Sequence, residues 1–165
     1  MAEDDSEFAT IRRLGNSFEA TITRAFDHDV TTLWAMLTDP AKLPLWLAPG
    51  TLALHKGGEA KLNFPESGIN VDSLITAIDP PRLIEYSWSS PGQPLRPLRW
   101  EIAPADGGAQ LMLTLGIPDN EDIARTCAGW DAHLDMLAAA LEGVPIKFPF
   151  ERFKAAREAY KALKI

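Results

Sequence analysis

His133, Asp131 and Asp135 cluster on a stretch that reads as helix, and of all the side chains in this sequence they come nearest to forming a reactive set. An imidazole that titrates near neutral pH beside carboxylates is the raw material of general acid–base chemistry. Asp131 and Asp135 stand at i, i+4 and share one helical face, so they could pair as acid and base. They lie off the apolar stripe, however, and a solvated helix face is the plainer expectation. His133 flanks the seam one position from Leu134 and is expected to reach the edge of any interior space as a polar anchor. One imidazole does not make an active site.

Other chemistries have less support still, and catalysis is unsupported rather than excluded. His28 and His55 fall in turns and are expected to be solvated, and the three histidines lack metal-ligand spacing. Cys127 is the single cysteine, so an intrachain disulfide and a thiolate metal cluster are both ruled out; it is expected to fill core space. Ser67, Ser73, Ser87, Ser89 and Ser90 have no Gly-x-Ser-x-Gly context. Gly57-Gly58 and Gly107-Gly108 read as hairpin turns, not as loops that cradle phosphate ahead of a helix. No catalytic motif, metal site or cofactor is expected.

Aromatic content is more informative. The chain has five tryptophans, each on or beside an apolar face. Trp46, Trp88, Trp100 and Trp130 are expected to converge on one concavity, where their faces would suit a flat apolar molecule. The same four indoles could instead fill that space.

Composition sets the outer bounds. The 165 residues are enough for one domain with a sizeable core. A net charge of −7 argues against nucleic acid or an anionic membrane as partner, since both need a basic face. Part of that charge sits in Glu3-Asp4-Asp5-Ser6-Glu7, read as a frayed arm. With no signal-peptide pattern and no long apolar run, a cytoplasmic protein is the expectation.

The elements that must position these residues follow from periodicity. Residues 17–26 alternate as a first strand through Phe18, Ala20 and Ile22. Val30, Leu33, Trp34 and Leu37 make a short helix, and Thr38-Asp39-Pro40 should start a second, kept short by Pro44. Six strands follow, with inward positions at Leu52/Leu54, Ala60/Leu62/Phe64, a less regular run over 69–78, Ile84/Tyr86/Trp88, Leu98/Trp100/Ile102 and Leu111/Leu113/Leu115. Asp79-Pro80-Pro81 interrupts the ladder, 89–97 is a loop, and Asp106-Gly107-Gly108 is a hairpin turn. Glu85, Arg99 and Glu101 should be outward cross-strand charges.

A long helix then carries Ile123, Cys127, Trp130, Leu134, Leu137 and Leu141 on one stripe, ending at Gly143 and Pro145. Burying these six side chains at roughly 1.5–3 kcal/mol each is the largest block of apolar free energy in sight. Beyond it, Phe148 and Phe150 lead into a second stripe of Phe153, Ala156, Tyr160 and Leu163. That tail is expected to pack on the outer sheet or on another chain. The expected layout is a mobile arm over 1–14, a domain over 15–143 and an amphipathic helical extension over 144–165, packed on the same domain or on a partner.

Taken in order, Phe26, Leu33-Trp34, Thr38-Asp39-Pro40, Trp46, Gly57-Gly58, Asp79-Pro80-Pro81, Trp88, Asp106-Gly107-Gly108 and Gly129-Trp130 resemble the START-like (SRPBCC) superfamily, in the branch named for the activator of Hsp90 ATPase homologue. The resemblance implies an α+β helix-grip fold, START-like and Bet v 1-like. Its curved antiparallel sheet wraps a long C-terminal helix, two short helices follow the first strand, and an apolar cavity lies between sheet and helix. Three departures are visible. Leu45 and Leu47 flank Trp46 where a second aromatic is common, Ala77 replaces a glutamate, and Leu115 replaces a histidine. Each makes the implied cavity greasier.

The ligand site expected on these grounds has Tyr86, Trp88, Trp100 and Leu113 as sheet wall and Trp130 and Leu134 as helix wall. Trp46 and residues 44–49 would form the mouth, with His133 as anchor. The expected partner is a small hydrophobic or amphipathic molecule. A protein partner or a homodimer is the alternative, in the manner of a chaperone regulator, and a cyclase or hydrolase is a third that lacks convergent ionisable groups.

Overall fold

The computed structural model describes residues 8–64 and 68–163. The acidic cluster Glu3–Glu7 and most of the Pro65–Gly68 turn lie outside the described residues. Two strands, β1 (Thr10–Leu14) and β2 (Ser17–Phe26), precede the first helix, α1 (Val30–Thr38). A 3-10 turn at Leu43–Leu45 leads to β3 (Gly50–Leu52), β4 (Glu59–Phe64), β5 (Ile69–Asp79), β6 (Leu83–Ser87), β7 (Pro97–Ala105) and β8 (Gly108–Pro118). The chain ends in α2 (Ile123–Leu141) and α3 (Phe150–Lys161).

The strands form one antiparallel sheet of eight, in the order β1-β2-β8-β7-β6-β5-β4-β3. The Greek-key step that brings β2 beside β8 pairs Ile22 with Leu113 and Ala20 with Leu115. At Asp106-Gly107-Gly108 the hairpin needs glycine twice. Gly107 has φ +79°, and a Cβ on Gly108 would stand 1.9 Å from the Phe26 carbonyl oxygen. Alternation puts Leu98, Trp100 and Ile102 of β7 and Leu111, Leu113, Leu115 and Ile117 of β8 on the inner face, all buried. Arg99 lies outward between Glu85 and Glu101, at 3.4 Å from each.

α2 covers that inner face, as a sheet with one apolar side requires. Asp122 caps it by accepting from the Arg125 N–H. Cys127, Trp130, Leu134 and Leu137 are buried, whereas Ile123 and Leu141 at the stripe's ends are only partly so. The apolar block is therefore centred on four side chains rather than six.

Four expectations need correcting. Thr10–Leu14, placed in the N-terminal arm, is a strand paired with β2. No second α-helix starts at Pro40; Asp39 accepts the Ala41 N–H and turns the chain into a single 3-10 turn, because Pro44 cannot donate to a longer helix. Leu54 lies beyond the end of β3 and is exposed. The C-terminal extension packs on α2 through Ala156 and Tyr160, not on the outer sheet, because its polar partners are α2 carboxylates.

Candidate functional site

The four expected indoles meet between sheet and helix. Trp46, held by the turn after α1, lies edge-on to Trp100 of β7, with centroids 5.7 Å apart. Trp100 meets Trp130 of α2 at 5.8 Å, and Trp130 meets Trp88 at 4.9 Å. All three contacts are edge-to-face, the arrangement the ring quadrupole favours. The series continues outward through Phe64 to Trp88 at 5.9 Å, His133 to Phe64 at 5.9 Å, and His133 to Phe148 at 5.6 Å. Leu113 and Leu134 are buried in the same core.

Burial grades along the series. Trp46 is 1% exposed, and its indole N–H donates to the Met36 carbonyl at 2.8 Å. It is fully enclosed, which does not suit its expected place at a mouth. Phe64, Trp88, His133 and Phe148 are half-buried and form the outer end. Phe64 and Phe148, which sequence reasoning left out of the site, are found here. Their signal was only that aromatics close α2-facing segments. The rings rest on one another, and two concavities of the surface lie elsewhere. One, about 440 Å³, is on the outer face beside Glu85, Leu95 and Arg99. The other is beside Gly50, Lys61 and Asn70.

Two polar groups stand out within this apolar setting. Tyr86 of β6 is buried, and its Oη has no hydrogen-bond partner. Burial pushes its pKa well up, and the Trp100 indole only partly offsets this without completing a hydrogen bond. His133 Nδ1 stands 3.0 Å from the Trp46 carbonyl oxygen. A carbonyl only accepts, so Nδ1 carries the proton. Burial holds the His133 pKa below its ordinary value, against the opposing pull of the Trp46 carbonyl. The ring is thus neutral, with Nε2 as an acceptor.

Asp131 overturns its expected solvation: it is 0% exposed. Its Oδ1 accepts from Arg24 of β2 at 2.7 Å, and its Oδ2 accepts from the Tyr160 hydroxyl of α3 at 2.6 Å. Burial raises its pKa, while Tyr160 and Arg24 pull the other way. Tyr160 Oη in turn accepts the Ala9 N–H at 2.6 Å. Asp135 pairs with Arg152. Both carboxylates are engaged in joining elements, so they do not form the acid–base pair that their spacing allows.

Cys127 beneath them is buried, and its thiol is pushed up to about 12, first by burial and then by the Asp131 charge. It stays protonated and packs as an apolar group. His28, expected in solvent, lies 2.8 Å from Glu142 and ties the start of α1 to the end of α2. Ser87 and Ser89 bond each other at 2.6 Å, and Ser73 donates to the Ser87 carbonyl; these shape the turn after β6. Arg96 grips Glu121 with both its Nε and Nη2, at 2.6–3.0 Å, and so fastens the 89–97 loop to the approach of α2. Among the described residues, no group of three His, Cys, Asp or Glu is placed to hold a metal. No described helix is long and apolar enough to cross a membrane.

Residues 27–142, most of the chain, match the family described as activator of Hsp90 ATPase homolog 1-like protein. The chain belongs to this family. Its fold agrees with that of CalU16 from Micromonospora echinospora, at TM-score 0.76 and 23% identity over 94% of each chain. EF2215 from Enterococcus faecalis, described as a conserved protein of unknown function, aligns at TM-score 0.74 and 18% identity over 95% of this chain and 92% of its own. DynU16, from the dynemicin biosynthetic locus, aligns at 0.70 and 21% identity over 77% of this chain and 48% of its own. These likenesses establish the helix-grip architecture. No curated protein matches the sequence. Family and fold together make this a ligand-binding or regulator-like domain.

Proposed function

We propose that the protein binds one small, flat, hydrophobic or amphipathic molecule between the sheet and α2, with the outer rings moving aside to admit it. Tyr86, Trp88, Trp100 and Leu113 would form the sheet wall, Trp130 and Leu134 the helix wall, and Trp46 the floor. The observation that carries this reading is the Tyr86 hydroxyl. A buried polar group without a partner costs about 1–3 kcal/mol, and a ligand's polar atom reaching Tyr86 beside Trp100 would relieve that cost. Neutral His133 supplies a second orienting group at the outer end. Sites of this kind are mostly apolar with a few placed polar groups.

Native mass spectrometry of the purified protein, set against its denatured mass, tests the reading directly. A reproducible adduct lost on denaturation is the expected result. Titration with 1-anilinonaphthalene-8-sulfonate tests the location: Trp88→Ala and Tyr86→Phe should both weaken saturable binding. Unchanged affinity in both variants would reject the site.

A second reading, a protein-contact module or homodimer, draws on Val144, Ile146 and Phe150, which are exposed around the α2–α3 connection. Sedimentation velocity decides the homodimer. A concentration-dependent shift abolished by Phe150→Ser favours it, and a monomer at every concentration removes it.

A further inference from the structure

The ring series does not stop where the family match stops. Past residue 142 the chain turns and runs without regular structure to α3, carrying Phe148. The Phe148 ring stands 5.6 Å from His133, 5.5 Å from Phe153 and 4.9 Å from Phe150. Phe148 and Phe153 are half-buried, and Phe150 is 65% exposed. The outermost layer over His133 is therefore supplied by the C-terminal segment and not by the helix-grip domain.

The two ends of that segment are held differently. The far end is anchored: Tyr160 is buried against Asp131 and the Ala9 N–H, and Ala156 is buried beside it. The near end has no fully buried side chain. Its polar fastening to α2 is Arg152 on Asp135, both partly exposed. Charge supports that fastening, since residues 144–165 hold six Lys/Arg and two Glu in a chain of net −7. Regions with few buried apolar contacts and exposed polar ones open at lower free energy than the core.

We propose that residues 144–155 are the outer wall and removable cover of the ring-lined site, swinging from the anchored Tyr160 end and latched by Arg152 on Asp135. This rests on the ligand reading above and adds to it a route of access. Opening the near end lifts Phe148 from His133, and through it opens a way to half-buried Phe64 and Trp88 and to the buried Trp130 behind them. The anchored end stays in place, so the helix-grip core need not unfold.

Two measurements on the full chain test this: amide hydrogen exchange, and stopped-flow binding of 1-anilinonaphthalene-8-sulfonate. Arg152→Gln should speed exchange in 148–155 and leave α2 unmoved. The same variant should raise both association and dissociation rates of the probe by about two- to fivefold, the range a partly exposed ion pair supplies. Its Kd should then stay within about twofold of wild type. Glu158→Gln, whose carboxylate pairs outward with Lys161, should change neither.

If exchange in 148–155 quickens while probe rates stay fixed, the cover is refuted and the ligand site stands. If 148–155 exchanges only in step with α2, the hinge is refuted. If wild type shows no saturable binding, the ligand reading fails and the cover falls with it.

Discussion

The inner and outer ends of the ring series are built from the same residue types and held in opposite ways. At the inner end Trp46 is locked by a hydrogen bond to Met36, and Trp100 is buried between two indoles. At the outer end Trp88, Phe64, His133 and Phe148 touch one another with a side still open. Aromatic content alone therefore does not say whether a ring is scaffold or contact surface. The number of its sides closed by other elements does, because interior packing density leaves a fully enclosed ring no freedom to move.

Substitution at each end should separate the two roles. Trp100→Ala should be the most damaging, at about 3–5 kcal/mol in urea unfolding, because it opens a cavity that the sheet cannot collapse into. Trp88→Ala should cost only about 1–2 kcal/mol, since part of that ring already meets water. Equal losses at the two positions would abolish the distinction.

His133 sharpens the comparison through pH. Burial lowers its pKa in the fold, so the unfolded chain takes up the proton first as pH falls. The stability this group contributes is complete above its ordinary value of about 6.5 and declines below it, by less than about 1.4 kcal/mol per pH unit. Urea midpoints between pH about 5 and 8 should show this slope in wild type and lose it in His133→Gln.

The smallest expected change has the opposite sign. Tyr86→Phe removes a buried hydroxyl with no partner, and should raise the unfolding free energy by about 1 kcal/mol while weakening probe binding. A loss of stability there would show that the hydroxyl is satisfied within the protein.

The sheet and α2 were legible because their inner positions keep strict periods of two and of three-to-four residues. Leu111, Leu113 and Leu115 on β8, and Cys127, Trp130 and Leu134 on α2, are buried as that periodicity requires. β1 was not legible: Thr-Ile-Arg-Arg-Leu lies on a sheet edge, mostly exposed, and an edge strand needs no alternation. Asp131 was misread for a related reason. A carboxylate on a helix flank looks solvated until the partner arrives, and Arg24 comes from 107 residues away. The convergence of the indoles followed from strand and helix phase. Their mutual contact did not, because it depends on the sheet's curvature, which no local pattern encodes.

The hydrogen bond from Ala9 to Tyr160 spans 151 positions, so the residue that leads into β1 is held by α3. As the chain is made in order, β1 is ready long before the Tyr160 hydroxyl that its flank donates to. Contacts of such long range form late and slow the search for the native state. During synthesis the Ala9 N–H therefore stays without its partner until α3 has emerged and docked on α2.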